Sequence, residues 1–260
     1  MAGDIIAAAT VLLVRDGAAG LEVLMATRAR TIDFAAGAAV FPGGKVARAD
    51  FDERWLTLST GGAGLDTVER GFRVAAARET FEETGILLAH AADGTPVDPS
   101  AAAALAPERS VVERTPERFA DVVAGAGLRL DLSAFVDFAH WLTPEGMPKR
   151  FDTRFLIAMA PDGQMPACDG GEATALDWLS PAGAVADARA GRRAIIFPTR
   201  LNLELLGQSG DAAGAVSDAR ARPLRPVTPR IIRENGEAML VIRDDAGYTT
   251  LREALAPNMP

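Results

Sequence analysis

Thr67 to Thr84 carries apolar side chains at Val68, Phe72, Ala75, Ala76 and Phe81, a spacing that predicts an amphipathic helix with one buried side. Gly85 follows directly and suits a helix exit in the left-handed conformation. Toward its C-terminal end this helix bears Glu79, Glu82 and Glu83, at i, i+3 and i+4. Such positions share one face with Cβ atoms roughly 5–6 Å apart, so three carboxylates repel one another unless something positive lies between them. They also stand at the negative pole of the helix dipole. The ordinary explanation of an acidic cluster is a solvated face without a role. Here the apolar first half of the helix and the apolar run after Gly85 favour a ligand. A divalent cation, Mg²⁺ or Mn²⁺, takes oxygen ligands and keeps waters that can be activated. Arg78 can reach a neighbouring carboxylate and fix its direction.

The rest of the chain narrows the ligand chemistry. Cys168 is the one cysteine and His90 and His140 the two histidines, which excludes an internal disulfide and a four-thiolate zinc site and leaves oxygen ligation. Neither histidine has ligand spacing to the other, and both read as structural or surface residues. No Ser/His/Asp set supports a hydrolase triad. Gly61-Gly62-Ala63-Gly64 lacks the Lys-Ser/Thr that completes a P-loop. The net charge of -8 argues against a general nucleic-acid binder, yet a polyphosphate remains acceptable when cations intervene. No apolar run is long enough to span a bilayer, and Met1-Ala2-Gly3-Asp4 lacks the basic start of a signal peptide, so a cytoplasmic protein is expected.

The 260 residues, 48% of them hydrophobic, suffice for one large domain or two small ones. Asp4 to Arg15 and Leu21 to Arg28 form two strands joined by a glycine-containing turn. Ala38 to Phe41 is a short buried run stopping at Pro42-Gly43-Gly44. Further strands are expected at Ile86–Ala89, Arg150–Ala160 and Ala173–Leu179. Helices are expected at Ala101–Leu105, from Thr115-Pro116-Glu117 to Ala124, at Leu132–Trp141, from Ser180-Pro181 to Ala190, and from Phe197 to Gly207. Residues 209–228 read as a linker, and Arg230–Arg233 with Ala238–Arg243 flank the hairpin turn Glu234-Asn235-Gly236. Trp141 and Trp178 read as core. Interleaved helices and strands with hairpins predict an α/β fold with a mixed sheet.

Arg78-Glu79-x-x-Glu82-Glu83-x-Gly85-Ile86 resembles the second half of the Nudix box, Gly-x5-Glu-x7-Arg-Glu-U-x-Glu-Glu-x-Gly-U with U apolar. The first half departs from it. Gly64 falls in register with the box glycine, but the glutamate position holds Arg70, with Glu69 one residue off. Phe41-Pro42-Gly43-Gly44 looks like the usual glycine opening and lies too early, so an insertion after Gly44 is the preferred reading over a degenerate first half. Gly37-x-x-x-Phe41-Pro42-Gly43-Gly44, the long insertion, Phe72 to Glu83 and Arg150-Phe151-Asp152-Thr153 in that order resemble the branch that includes peroxisomal coenzyme A diphosphatases.

The resemblance implies an α/β/α Nudix sandwich over residues 4–208, with insertions near 45–66 and 92–145, the latter helical. Residues 209–260 are then a linker and C-terminal hairpin extension that either covers the domain or pairs across a homodimer. It implies metal-dependent cleavage of a diphosphate linkage in a nucleoside diphosphate derivative such as coenzyme A or acyl-coenzyme A. The rival readings are a pyrophosphatase for ADP-ribose, a dinucleotide or a nucleoside triphosphate, and a non-catalytic ligand-binding module. Glu79, Glu82 and Glu83 become the metal ligands, with Arg78 supporting them, and Gly43 and Gly44, in the loop before the catalytic helix, become substrate-binding residues. Glu172, in the loop ahead of Trp178, is either a metal ligand or base, or a loop acid without a role. Arg28, Arg30, Arg150 and Arg154 are the candidates for substrate phosphates. For Arg150 and Arg154, pairing with Asp152 is the alternative. Asp33 stands where this branch carries an arginine, which speaks against recognition of the 3′-phosphate of coenzyme A.

Overall fold

Strand β1 (Ile5–Gly17) turns back into β2 (Gly20–Arg28) through Ala18-Ala19, with Val14 opposite Val23 and Gly17 opposite Gly20. A computed structural model describes this chain over residues 5–29, 37–168 and 171–254. Beyond Val14 the two strands splay, and short β3 (Ala39–Val40) and β4 (Gly43–Lys45) fill the gap, β3 on β2 and β4 on β1. The chain continues through β5 (Ser59–Thr60), helix α1 (Thr67–Thr84), β6 (Ala89–Ala91), α2 (Pro99–Ala104), α3 (Arg109–Arg114), α4 (Arg118–Gly125) and β7 (Leu128–Asp131). It then forms β8 (Val136–Leu142), β9 (Arg150–Met159), β10 (Ala173–Leu179), α5 (Pro181–Arg189), α6 (Phe197–Leu206) and α7 (Ala212–Ala221). Strands β11 (Pro226–Val227), β12 (Arg230–Glu234), β13 (Glu237–Val241) and β14 (Arg252–Ala254) follow.

The large sheet runs β10-β2-β1-β9-β8-β11. β1 and β9 are parallel, from Ile5 opposite Arg150 to Val14 opposite Met159, and so are β8 and β11, while β10 with β2, β2 with β1 and β8 with β9 pair antiparallel. This is the mixed α/β sheet expected. Alternation along β1 separates two cores. Ala9, Val11 and Leu13 face α1 and the short helices, and Leu12 and Val14 face α5, α6 and α7, which makes three layers. Among the described residues no helix is long and apolar enough to cross a membrane.

Four expectations change. Leu132–Trp141 is not a helix: it contains β8, whose register shifts against β9 between Asp137 and Ala139. That bulge buries Phe138, Ala139 and Trp141, a pattern that mimics helical spacing. The helical character of the 92–145 insertion is thus confined to α2, α3, α4 and single turns. Ile86–Leu88 belongs to no strand, and β6 begins at Ala89. Residues 209–228 are not a linker. Asp211 caps α7 by accepting from Gly214 N at 2.6 Å, and Ala212, Ala215 and Ala219 lie buried against the sheet. A face of buried alanines, with Val216 packed beside them, packs closely but reads as low complexity. Val68, assigned to the buried side of α1, is 48% exposed.

The C-terminal hairpin forms as expected, with Asn235 and Gly236 at positive φ, and β14 adds a third strand. It covers its own domain, because Leu240, Ile242 and Tyr248 join the core that contains α6 and α7.

Candidate active site

Helix α1 enters through a capping box: Glu69 N donates to Asp66 Oδ1 at 2.8 Å and Asp66 N to Glu69 Oε2 at 3.2 Å. It leaves at Gly85, φ 75°, as the sequence predicts. Its acidic end is buried, with Glu79, Glu82 and Glu83 each below 10% exposed and Arg78 at 2%. Arg78 directs all of its N–H donors at acceptors. Nη1 donates to Glu79 Oε1 and Glu82 Oε1, Nε and Nη2 to the two oxygens of Asp50, and Nη2 also to Lys45 O, each at 2.9 Å. Asp50 is itself fixed, since Ala47 N donates to its Oδ2 at 2.7 Å.

Glu83 turns to the loop before the helix, where Gly43 N donates to its Oε2 at 3.0 Å. Backbone crowding and a positive φ require glycine at Gly43, whereas a side chain at Gly44 would displace the Glu79 carboxylate. A Cβ on Gly43, φ 151°, would lie 2.4 Å from Ala9 O, and one on Gly44 would lie 2.4 Å from Glu79 Oε2. The closeness of Gly43 and Gly44 to the strands and the helix is what brings Glu79 and Glu83 to one place.

Burial, opposed by Arg78 and reinforced by Glu82, pushes Glu79 up to about 8. Burial likewise raises Glu82, again against Arg78. Glu83 stands well above the usual carboxylate range, through burial first and the charge of Glu79 second; Gly43 N–H and Arg28 oppose this and Glu172 adds to it. Arg78 stays charged: burial opposes its charge, but Asp50, Glu79 and Glu82 outweigh it.

Arg28 and Glu172 come to the same end of α1. Arg28 pairs with Ala173 across β2 and β10, Ala29 N donates to Glu172 O at 2.8 Å, and Arg28 Nη2 lies 4.0 Å from Glu172 Oε2. Arg30 and Asp33 lie outside the described residues. Arg150 and Arg154 are on β9, away from the glutamates. Arg154 is opposite Ala9, which is opposite Gly44, so two strand spacings, about 10 Å, separate it from that loop. Its guanidinium lies 4.7 Å from the centre of the Phe72 ring, and Arg150 Nε donates to Thr143 O at 3.4 Å. Neither takes Asp152, whose Oδ1 is hydrogen-bonded to His140 Nε2 at 2.5 Å. His90 bonds Thr60 and Ala91 O, and Cys168 is exposed. Trp141 is core, whereas Trp178 is only half-buried beneath the Arg15 guanidinium, 4.1 Å from its ring.

Asp50 is the site residue the motif reading passed over. The signal was a count: it follows Gly44 after five residues, the box spacing, with aspartate in place of glutamate. The extra residues therefore enter after Asp50, and 45–50 belongs to the site.

Among the described residues no three His, Cys, Asp or Glu side chains already surround a common point as a metal cage. Arg78 occupies one oxygen of Glu79 and one of Glu82, and Gly43 one of Glu83, leaving the second oxygen of each for another ligand.

The NUDT19 Nudix domain model matches residues 65–202, just over half of the chain. The acyl-coenzyme A diphosphatase NUDT19 of Gallus gallus is 31% identical over 214 residues, 65% of this chain and 56% of that protein. Its Homo sapiens counterpart is 28% identical over 204 residues, 63% and 54% respectively. The chain thus spans about half the length of these curated relatives. A solved Nudix hydrolase from Alicyclobacillus acidocaldarius is 29% identical, with a TM-score of 0.70 over 82% of this chain and 96% of that one. Its likeness extends the shared fold well beyond the residues that carry the box. By fold, by box and by sequence, the chain belongs to the NUDT19 Nudix domain family.

Proposed function

We propose that this protein is a metal-dependent diphosphatase that hydrolyses a nucleoside diphosphate derivative, with coenzyme A or an acyl-coenzyme A as the substrate. The observation that carries the reading is the convergence of three buried carboxylates on one arginine and one glycine loop. A binding module without chemistry has no use for so costly a cluster. The donor set fits a hard divalent cation, Mg²⁺ or Mn²⁺. It is all oxygen, each carboxylate keeps one oxygen beyond its internal hydrogen bond, and burial penalises the charged forms until a cation relieves them.

Glu79, Glu82 and Glu83 would hold that cation, which when bound supplies charge neutralisation at the phosphate oxygens and an acidified water. Arg78 keeps Glu79 and Glu82 aimed, and Gly43 keeps Glu83 against the loop. Glu172 accepts the proton of the attacking water, the P–O–P anhydride opens, and two phosphate monoesters leave. Arg28, beside Glu172, and Arg30 hold a substrate phosphate, and Arg150 and Arg154 serve an outlying anionic group of the substrate. The names of the NUDT19 relatives support the acyl-coenzyme A reading. A homodimer is consistent with the free outer edge of β12, which among the described residues pairs only with β13.

The test is the specificity constant for coenzyme A, dephospho-coenzyme A and ADP-ribose under one Mg²⁺ condition. Coenzyme A should lead, and dephospho-coenzyme A should trail it because arginine contacts go unused. A lead for ADP-ribose of about tenfold or more rejects the coenzyme A assignment and keeps the diphosphatase. Glu172→Gln should lower kcat more than it raises KM; an unchanged kcat removes Glu172 from the chemistry.

A further inference from the structure

The last turn of α1 carries Glu82 and Glu83 and contains no basic residue of its own. Its terminal carbonyls therefore add negative charge beside the carboxylates. Two distant segments answer them. Ala167 N donates to Thr84 O at 2.9 Å, and Arg109, the first residue of α3, donates from Nε to Glu82 O at 2.9 Å. Arg109 is only 6% exposed. Its guanidinium packs over the helix exit so closely that a Cβ on Gly85 would stand 3.4 Å from Nη1. Val112, one turn further along α3, is fully buried in the core that also holds Phe81. α3 is thus anchored to α1 by an apolar contact, and its arginine is committed to the backbone of a glutamate at the site.

A buried guanidinium is expensive to desolvate, and a hydrophobic side chain would dock α3 as well. What a hydrophobic side chain cannot do is tie down a terminal carbonyl and oppose the helix pole. We infer that Arg109 is a positioning residue for the acidic end of α1: it holds the turn that carries Glu82 and Glu83, and so sets the spacing of their carboxylates without touching the cation or the substrate. The stretch between β6 and β7 then has a role in the site although it contributes no ligand. This rests on the cation reading given above.

The experiment measures binding of Mn²⁺ alone to the full chain by calorimetry, for the parent, Arg109→Met and Arg109→Lys. Arg109→Met should remain folded at 25 °C and bind Mn²⁺ about tenfold more weakly, the scale found when a residue supporting a metal ligand is removed. Arg109→Lys, which keeps a cationic donor, should return to within about threefold of the parent. At saturating Mn²⁺ the KM for the diphosphate substrate should stay unchanged, since Arg109 touches no substrate. Binding by Arg109→Met as tight as the parent's, or tighter, overturns the inference: the arginine then only packs or only opposes charge. A lysine variant no better than the methionine one overturns it too. If Arg109→Met does not fold, Arg109→Gln against Arg109→Lys decides by the same criterion. A parent chain that binds no Mn²⁺ removes the cation reading and this inference together, whereas the preceding outcomes remove only this one.

Discussion

The two faces of the large sheet bury polar groups by different means. On the α1 face four carboxylates and the guanidinium groups of Arg73, Arg78 and Arg109 are withdrawn from water, and Arg78 supplies hydrogen bonds to three of those acids. On the opposite face the buried polar groups include a short neutral relay. Trp141 Nε1 donates to Tyr248 Oη at 2.9 Å, and Tyr248 Oη donates to Asn202 Oδ1 at 2.7 Å. Both arrangements join segments far apart in sequence. The relay ties the C-terminal segment to β8 and α6 through neutral groups, with Asn202 Nδ2 left without a hydrogen-bond partner among the described residues. The acidic cluster stays under strain when paired, because burial still pushes Glu79 and Glu83 toward protonation. One face joins neutral groups and the other gathers charge that burial disfavours. Substitutions should separate the two.

The largest effect belongs to Arg78→Met. It strands the buried carboxylates of Asp50, Glu79 and Glu82 and should destabilise the fold by about 3–5 kcal/mol while abolishing turnover. Denaturant unfolding measures it, and a loss near zero would mean that the fork does not hold the cluster.

Glu83→Gln comes next. It preserves shape and removes one charge, so turnover should fall on the order of 10²-fold with little change in melting temperature. Activity within a few-fold of the parent at saturating Mg²⁺ would contradict the role of Glu83.

A smaller effect is expected from pH. Glu79 titrates near 8 in the fold against an ordinary 4.5, so its protonated form favours the folded state. That contribution is complete below about 4.5 and is lost as pH rises through about 8. The melting temperature in EDTA should therefore decline from pH 5 to pH 8, and Mg²⁺ should raise it more at pH 8 than at pH 5. A metal-free melting temperature that climbs over this range would break the contrast between the faces.

The mildest change is Tyr248→Phe. Removing the hydroxyl leaves Trp141 Nε1 and Asn202 Oδ1 without their partner, a cost of about 1–3 kcal/mol. kcat and KM should hold at temperatures where the variant is folded. A change in kcat as large as that of Glu83→Gln would show that the relay reaches the other face.

Legibility in the sequence followed the range of the interaction. Helix α1 matches its expected bounds, Gly85 ends it, and the spacing of Glu79, Glu82 and Glu83 places them together, because capping, propensity and i, i+3, i+4 geometry all operate within one or two turns. The turn at Asn235-Gly236 is legible for the same reason. Where tertiary packing intervened, the pattern misled. Strand β8 hid behind a bulge that β9 imposes, and α7 hid behind an alanine face that has meaning only against a sheet.

What the sequence alone determined is therefore the helix, the spacing of its acids and the family to which the chain belongs. What the tertiary structure decided is the company those acids keep: Asp50 on Arg78, Gly43 on Glu83, Glu172 beside Arg28, and Arg109 on the Glu82 carbonyl. Such pairings join residues tens of positions apart, so no local preference encodes them. They exist because the sheet splays between β1 and β2, the glycine loop fills the gap, and the apolar face of α1 locks over it.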